Sequence, residues 1–220
     1  MADRDGFGRD GLDRLGERLD QSGRMTAAFE AAGLAPLPRE AVLQIVGLSL
    51  PVAVAQLAQG HDGATQARIV DGYRAAFMRA RLVQPAPLYP GALDCLDGLA
   101  GRDDILLAVA AGKSRRGLAA MIQAHGLEGR FVSLQTADDH PSKPHPAMLL
   151  AALADTGVAA TDAVMVGDTS FDMDMARAAG MTGFGVGWGY HAPDLLTGSG
   201  AALVAADFAD LGQALARWAA

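Results

Sequence analysis

The second half of the chain alternates short apolar runs with segments of helical periodicity, and this order constrains the fold more than any other feature. Ile105 to Ala111 is a continuous apolar run that ends at Gly112, as expected of a strand buried on both faces. Further strands are predicted at 131–134, 163–166, 182–186 and 202–205, with helices at 114–125, 146–156, 171–179 and 208–218. Strands that alternate with helices predict an α/β fold with a doubly wound parallel sheet.

The first half of the chain shows helical patterns only. Apolar residues spaced for one helix face predict a helix that ends at Ala32, and shorter helices are predicted at 39–46, 51–58 and 64–82. Prolines and glycines separate these segments, and the proline-rich stretch 85–90 is typical of a hinge. We therefore predict an atypical N-terminal segment at 1–24, an all-helical domain at 25–85 and an α/β core at 86–220.

Composition narrows the classes of protein to which this chain can belong. Half of its 220 residues are apolar, which is too many for a disordered chain, and its net charge of −7 argues against a nucleic-acid surface. No apolar run reaches the roughly 18 residues of a membrane helix, and no signal peptide is recognisable. The single cysteine, Cys95, offers neither a disulfide nor a metal cluster. We expect a cytoplasmic protein with no membrane and no nucleic-acid partner.

Two carboxylates follow the predicted strand at 163–166. The sequence there is GDTSFD, which begins at Gly167 and places Asp168 and Asp172 four residues apart. Because the working residues of open α/β sheets lie at the carboxyl ends of strands, we expect both carboxylates to face the same crevice. Such a pair suits Mg²⁺, a hard cation that takes a few protein oxygens and keeps water for a phosphate to replace. The alternative is that both only cap the helix that begins near Ser170.

A lysine follows the predicted strand at 131–134, in the loop 142–146 (SKPHP). Lysine is rare in this chain, because only Lys113 and Lys143 among its 18 basic residues are lysines. Two prolines stiffen the loop, and a lysine held there would neutralise a phosphate and steady a charged nucleophile. The alternative is a solvated lysine in a surface loop.

Together, these motifs resemble those of the haloacid dehalogenase-like (HAD) hydrolase superfamily, in its phosphoglycolate phosphatase-like branch with a helical cap. The resemblance covers about residues 25–218 and includes AAFEAAGL (27–34), PLYPGAL (87–93), LLAVAAGKS (106–114), SKPHP (142–146) and GDTSFDMDMARAAG (167–180). It implies a HAD-like Rossmannoid core and a Mg²⁺-dependent phosphatase that acts on a small phosphorylated metabolite through an aspartyl phosphate.

The resemblance also implies a role for each matching residue. Lys143 would be a catalytic residue that stabilises the phosphate. Asp168 and Asp172 would be the acidic pair at the metal, and Asp168 would share in catalysis. Residues 25–85 would form the cap that closes over the substrate and excludes water.

The first catalytic motif of the family is missing. The family begins with an apolar strand, in the middle of the sheet, that runs into Asp-x-Asp-Gly-Thr. The first aspartate attacks phosphorus and the second acts as general acid and base. Residues 1–24 contain no apolar run, and Asp3 and Asp5 match the motif only as letters. The sequence leaves the nucleophile unidentified, with Asp3 and Asp5 as its formal candidates.

The second departure lies at the end of the predicted strand at 105–111. Ala111 stands where the family places a Ser or Thr hydroxyl that binds the phosphoryl group. Gly112, Lys113 and Ser114 follow, and we predict that they bind phosphate at the N-terminus of the next helix. The alternatives are that Ser114 is only the N-cap of that helix and that Lys113 is only exposed.

Three interpretations of function therefore stay open. The first is a Mg²⁺-dependent phosphatase. The second is a non-catalytic regulatory module that binds phosphate and Mg²⁺, a pseudophosphatase that retains Lys143, Asp168 and Asp172. The third is a damaged family member that folds poorly. In each, the segment with Trp188, Tyr190 and His191 is expected at the rim of the site.

Overall fold

The computed structural model describes residues 22–81 and 87–220. These residues form two compact units, one of residues 22–45 and 53–90 without 82–86, the other of residues 46–52 and 91–220. Residues 46–52, which the sequence analysis assigned to the helical domain, thus group with the α/β part of the chain. Most of the atypical N-terminal segment, with the candidates Asp3 and Asp5, lies outside the described residues.

The first unit is built from helices. They span residues 22–31 (α1), Arg39–Gln44 (α2), Leu50–Leu57 (α3, which begins in the segment 46–52) and Gly63–Arg81 (α4). Phe29 of α1, Val54 of α3 and Ile69 of α4 are buried apolar side chains of this part of the chain. At Gly72 the backbone of α4 lies close to Ala28 of α1, since a Cβ there would stand 3.3 Å from the Ala28 Cα. Within the described residues, no helix has the length and apolar character needed to cross a bilayer.

The second unit alternates strands and helices, as the sequence predicts. Its elements are Ala92–Ala100 (α5), Ala108–Ala111 (β1), Arg115–Ala124 (α6), Ser133–Thr136 (β2), Ala147–Thr156 (α7), Val164–Gly167 (β3), Ser170–Ala178 (α8), Thr182–Val186 (β4), Pro193–Gly198 (α9), Leu203–Ala205 (β5) and Phe208–Trp218 (α10). The predicted α/β class with parallel strands is confirmed. Helices α5 and α9 are not predicted from the sequence, and β1 begins three residues later than the predicted strand.

The described strands form two parallel groups. β1 pairs with β2, and β4 pairs with both β3 and β5. In the described part of the chain, β1 and β3 thus each have one strand neighbour. Both groups rest on one helical layer: Met148 of α7 and Met175 of α8 belong to a single buried cluster, against which Ala110 of β1 and Met165 of β3 pack.

The expectation that the first strand is buried on both faces is wrong. β1 and β3 are partly exposed along most of their length, whereas β4 is buried from Gly183 to Val186. Leu106, inside the apolar run, is 51% exposed. The cause is the pairing, because no strand of the described residues covers the second edge of β1 or of β3.

Candidate functional site

The N-terminus of α8 is capped by the side chains of Thr169 and Asp172. Thr169 is the N-cap: its Oγ1 accepts a hydrogen bond from the Asp172 backbone N–H at 3.3 Å, and Asp172 Oδ2 accepts one from the Thr169 N–H at 3.0 Å. The Thr169 hydroxyl also donates to Asp172 Oδ2 at 2.8 Å. This reciprocal capping box requires Gly167, because a Cβ at that position would lie 2.2 Å from the Asp172 Cβ. The capping alternative therefore holds for Asp172.

Asp172 also forms a buried ion pair with the loop after β2. Lys143 Nζ donates to Asp172 Oδ1 at 2.6 Å, and the two residues are only 8% and 2% exposed. The solvated alternative for Lys143 is wrong, since the ammonium lies in the interior. Both Asp172 oxygens are engaged, one by Lys143 and one by Thr169. A direct bond from Asp172 to a cation would compete with these contacts, which argues against the predicted ligand role of this residue.

Asp168 is the carboxylate that keeps an oxygen available. Its Oδ2 accepts a hydrogen bond from the Tyr190 N–H at 3.1 Å, and no other residue of the described chain donates to its Oδ1. Burial and the neighbouring Asp172 charge raise the pKa of Asp168, against smaller opposing effects of the Tyr190 N–H and Lys143. The described residues contain no cluster of three or more acidic, histidine or cysteine side chains that could hold a metal.

The segment 46–52 lies against the loops that carry these residues. The Ser49 N–H donates to Ser142 Oγ at 2.8 Å, beside Lys143. A Cβ at Gly112 would lie 2.6 Å from the Gly47 carbonyl oxygen, and one at Gly47, where φ is +104°, would lie 3.0 Å from Thr169 Oγ1. The glycines therefore allow the strand-end loops of β1 and β3 to approach the same backbone. In the sequence, Gly47 is one of the glycines that separate the predicted helices, and nothing there marks its contact with Gly112.

The sequence model of the haloacid dehalogenase-like hydrolase family matches residues 23–186, about three quarters of this chain. The chain belongs to this family. A Dickeya dadantii protein named "Probable phosphatase IndB" is 38% identical over 72% of this chain and 70% of its own length. A "Phosphoglycolate phosphatase" of Rhodospirillum rubrum is 37% identical over 81% of this chain and 77% of its own length.

The fold agrees with this membership. The crystal structure of a hydrolase from Pseudomonas syringae superimposes with a TM-score of 0.80, at 23% identity, over 92% of this chain and 93% of that chain. The predicted HAD-like core and the resemblance to the phosphoglycolate phosphatase-like branch are thus confirmed.

The end of β1 departs from the phosphate-binding arrangement predicted for this HAD hydrolase. Ser114 is the N-cap of α6, and its Oγ accepts the Gly117 N–H at 3.2 Å. The Arg115 N–H, at the start of α6, donates to Asp138 Oδ2 at 2.8 Å, so this amide is already bonded to a carboxylate of the protein. Lys113 is exposed, and Gly112 is the residue of this turn in contact with the segment 46–52.

The segment after β4 contributes more to the site than its sequence indicates. Tyr190 and His191 contact the Asp168 loop through hydrogen bonds, whereas Trp188 is buried with its ring centroid 4.7 Å from that of Phe208. The expectation of a rim is thus wrong for Trp188, which packs in the interior, and for His191, which is 8% exposed. The alternating glycines of this segment were the sequence feature that could have indicated the contact. Gly189 is required there, because a Cβ at this position would lie 2.1 Å from the Asp168 Cβ. No sequence feature of this kind marks Asp138, the acceptor of the Arg115 N–H.

The capping box yields a stability prediction. Thr169→Val keeps the shape of the side chain but removes the hydroxyl that Asp172 uses, and it should lower the free energy of unfolding by about 1 kcal/mol. Thr169→Ser keeps the hydroxyl and should cost clearly less. Denaturant unfolding of the two variants measures both values. A Thr169→Val variant as stable as the wild type, with the loss confined to Thr169→Ser, would mean that the methyl group, and not the hydroxyl, stabilises the start of α8.

Proposed function

We propose that this HAD hydrolase is a Mg²⁺-dependent phosphomonoester hydrolase that acts on a small phosphorylated metabolite. The observation that carries the proposal is the buried Lys143–Asp172 pair beside Asp168, on the loops that follow β2 and β3 of the α/β core. Such an arrangement offers the Lys143 ammonium to a phosphate and the Asp168 carboxylate to a metal ion that binds the same phosphate. The names of the relatives make phosphoglycolate the first substrate to test.

The residues present fit a magnesium ion. Asp168 has an oxygen that no other described residue uses, and its raised pKa reflects a carboxylate whose charge is poorly compensated by its surroundings. A divalent cation would offset both the burial and the repulsion from Asp172. Mg²⁺ commonly takes only one or two protein carboxylates and completes its shell with water and phosphate oxygens. Asp168 would hold the ion, and Mg²⁺, when bound, supplies positive charge that stabilises the phosphoryl oxygens.

The protein's own groups have distinct tasks in this proposal. Lys143 neutralises the phosphate, and Asp172 holds the lysine at a fixed position through the 2.6 Å contact and its own bonds to Thr169. Asp168 is fixed in turn by the Tyr190 N–H. A covalent step needs a nucleophile as well, and its formal candidates, Asp3 and Asp5, lie outside the described residues.

A specific observation favours a second candidate, the non-catalytic phosphate- and Mg²⁺-binding module. Ala111 offers no hydroxyl at the end of β1, and the Arg115 N–H of α6 is bonded to Asp138. Within the described residues, the site also shows no carboxylate with a free oxygen other than Asp168. A chain with these features would bind phosphate through Lys143 and would turn it over slowly or not at all.

The experiment that tests the proposal measures release of inorganic phosphate from phosphoglycolate and a panel of small phosphomonoesters, with Mg²⁺ and with EDTA. We expect release that requires Mg²⁺ and that falls in the Asp3→Asn/Asp5→Asn double variant if either residue is the nucleophile. Vanadate binding that requires Mg²⁺, without turnover, would establish the second candidate instead. A folded chain that shows neither turnover nor binding would overturn both.

A further inference from the structure

His191 is a buried histidine whose ring contacts α8 next to Asp168. It is 8% exposed, and its ring lies edge-on to Phe171, with the centroids 5.5 Å apart. Its Nδ1 accepts a hydrogen bond from the Ser170 backbone N–H at 3.0 Å. A backbone N–H can only donate, so Nδ1 is the acceptor and the neutral ring carries its proton on Nε2.

Three hydrogen bonds donated by backbone N–H groups join the segments 168–170 and 190–191, beside a fourth contact of 3.2 Å between His191 Nδ1 and Ser170 Oγ. The three backbone-donated bonds are called the Asp168 clasp. The Tyr190 N–H donates to Asp168 Oδ2 at 3.1 Å, and the His191 N–H donates to the Asp168 carbonyl oxygen at 3.1 Å. The third bond is the one from the Ser170 N–H to the His191 ring. It is the bond of the clasp that depends on the side chain of residue 191.

The clasp decides which oxygen of Asp168 is available. Oδ2 is occupied by the Tyr190 N–H, so Oδ1 is the oxygen directed away from the clasp partners. If the ring of His191 released Ser170, the segment 190–191 would lose its hydrogen bond to the start of α8. The Tyr190 N–H would then hold Asp168 Oδ2 less firmly. Groups that orient a metal ligand in this way typically contribute about 10- to 100-fold to metal affinity.

We propose that His191 is a positioning residue for Asp168: by accepting the Ser170 N–H, it locks the clasp that presents Asp168 Oδ1 to the cation. The proposal rests on the proposed function in one respect, the assignment of Asp168 as the cation ligand. It goes beyond that function because it assigns to His191 a role that acts through the backbone of the segment 190–191.

Two variants separate the acceptor from the ring. His191→Asn places Oδ1 where the histidine has Nδ1, so the acceptor stays and the ring is lost. His191→Phe keeps the ring against Phe171 and loses the acceptor. Phenylalanine also lacks the Nε2–H, a buried donor with no hydrogen-bond partner among residues 22–81 and 87–220, so any loss in this variant cannot come from a bond of that donor to them. Asp207→Ala is the matched control, because Asp207 accepts the Asp210 N–H as N-cap of α10, away from Asp168.

Two measurements report whether the hydrogen bonds of the clasp are formed and whether Asp168 is presented to a cation. Amide hydrogen exchange of Tyr190, followed by NMR, reports the bond to Asp168 without any metal. Mn²⁺ binding, followed by electron paramagnetic resonance, reports the presentation of Asp168. In His191→Phe we expect Tyr190 exchange to rise by about tenfold, the equivalent of one lost hydrogen bond, and Mn²⁺ affinity to fall by about tenfold. His191→Asn should stay close to the wild type in both, and Asp207→Ala should lose stability without changing either.

The outcomes separate this proposal from the proposed function. Unchanged Tyr190 exchange in His191→Phe, or an equal change in Asp207→Ala, would overturn the positioning role. A failure of His191→Asn to restore the wild-type values would assign the effect to the ring and overturn it as well. If the wild type binds no Mn²⁺, the cation assignment of Asp168 fails with the proposed function, and Tyr190 exchange still decides whether His191 locks the clasp.

Discussion

Replacing Lys143 by methionine is expected to lower the free energy of unfolding by about 3–5 kcal/mol, the typical loss when one partner of a buried ion pair is removed. Asp172 is 2% exposed and would keep a carboxylate with no ammonium at Oδ1. For a chain of this size such a loss corresponds to a fall in Tm of roughly 10 °C. Denaturant unfolding and thermal denaturation both measure it.

A double-mutant cycle shows whether the loss comes from the charge left behind. Asp172→Asn in the Lys143→Met background removes the uncompensated charge, so it should recover much of the stability that the single variant loses. Arg177→Met, which removes the exposed partner of Asp174 on the same helix, should change stability by less than about 1 kcal/mol. Strictly additive losses of the two site substitutions would contradict a buried pair.

The sequence predicted that the loops after the second and third strands meet, and they do. Lys143 and Asp172 are 29 residues apart along the chain, yet Nζ and Oδ1 lie 2.6 Å from each other. The prediction succeeded because carboxyl ends of parallel strands share one edge of a sheet, a rule that depends only on the order of strands and helices. What the rule did not specify was the partner of each Asp172 oxygen, so the contacts to Lys143 and Thr169 were not predicted.

The contacts that the sequence did not reveal are those made by backbone atoms. Ser49 donates its N–H to Ser142, Tyr190 donates its N–H to Asp168, and Ser170 donates its N–H to His191. A backbone amide is present at almost every residue, so no residue type marks it in a sequence. Only the glycines that let backbones approach, such as Gly112 and Gly189, leave a trace of these contacts.

Helix α5 could not be predicted from the sequence for a different reason. It begins after Gly91, which has φ of +80° and no side chain that could cap the helix, and Pro90 precedes it. The usual signal of a helix start, a Ser, Thr, Asp or Asn side chain before the apolar pattern, is therefore missing. The strands show the reverse: their apolar runs were visible, but the exposure of β1 and β3 depends on pairing with strands distant in the sequence.

Replacing Asp168 by asparagine is expected to stabilise the metal-free fold at neutral pH. Burial and the charge of Asp172 raise the pKa of Asp168 above its ordinary value of 3.8, so the folded protein binds this proton more tightly than the unfolded chain does. As the pH rises from 3.8 through the folded-state pKa, the unfolded chain ionises first and stability falls. Asparagine removes this loss, and each kcal/mol regained raises Tm by about 2–4 °C.

The pH dependence of Tm shows whether the charge of Asp168 causes the difference in stability. In EDTA, Asp168→Asn should exceed the wild type in Tm at pH 7.5, and the difference should shrink as the pH is lowered toward 3.8, where both forms of the site are neutral. Asp174→Asn, a substitution on the exposed side of the same helix, should show no such trend. A Tm of Asp168→Asn below that of the wild type at pH 7.5 would mean that the ionised carboxylate stabilises the fold.

The same substitution should act in the opposite direction on function. A ligand that binds only the folded state raises its stability, so Mg²⁺ should raise the Tm of the wild type and leave that of Asp168→Asn unchanged. Any phosphate release that requires Mg²⁺ should fall by orders of magnitude in the variant. A carboxylate that weakens the fold at neutral pH and is needed for cation binding is retained for its chemistry, because structural residues are expected to stabilise the protein that contains them.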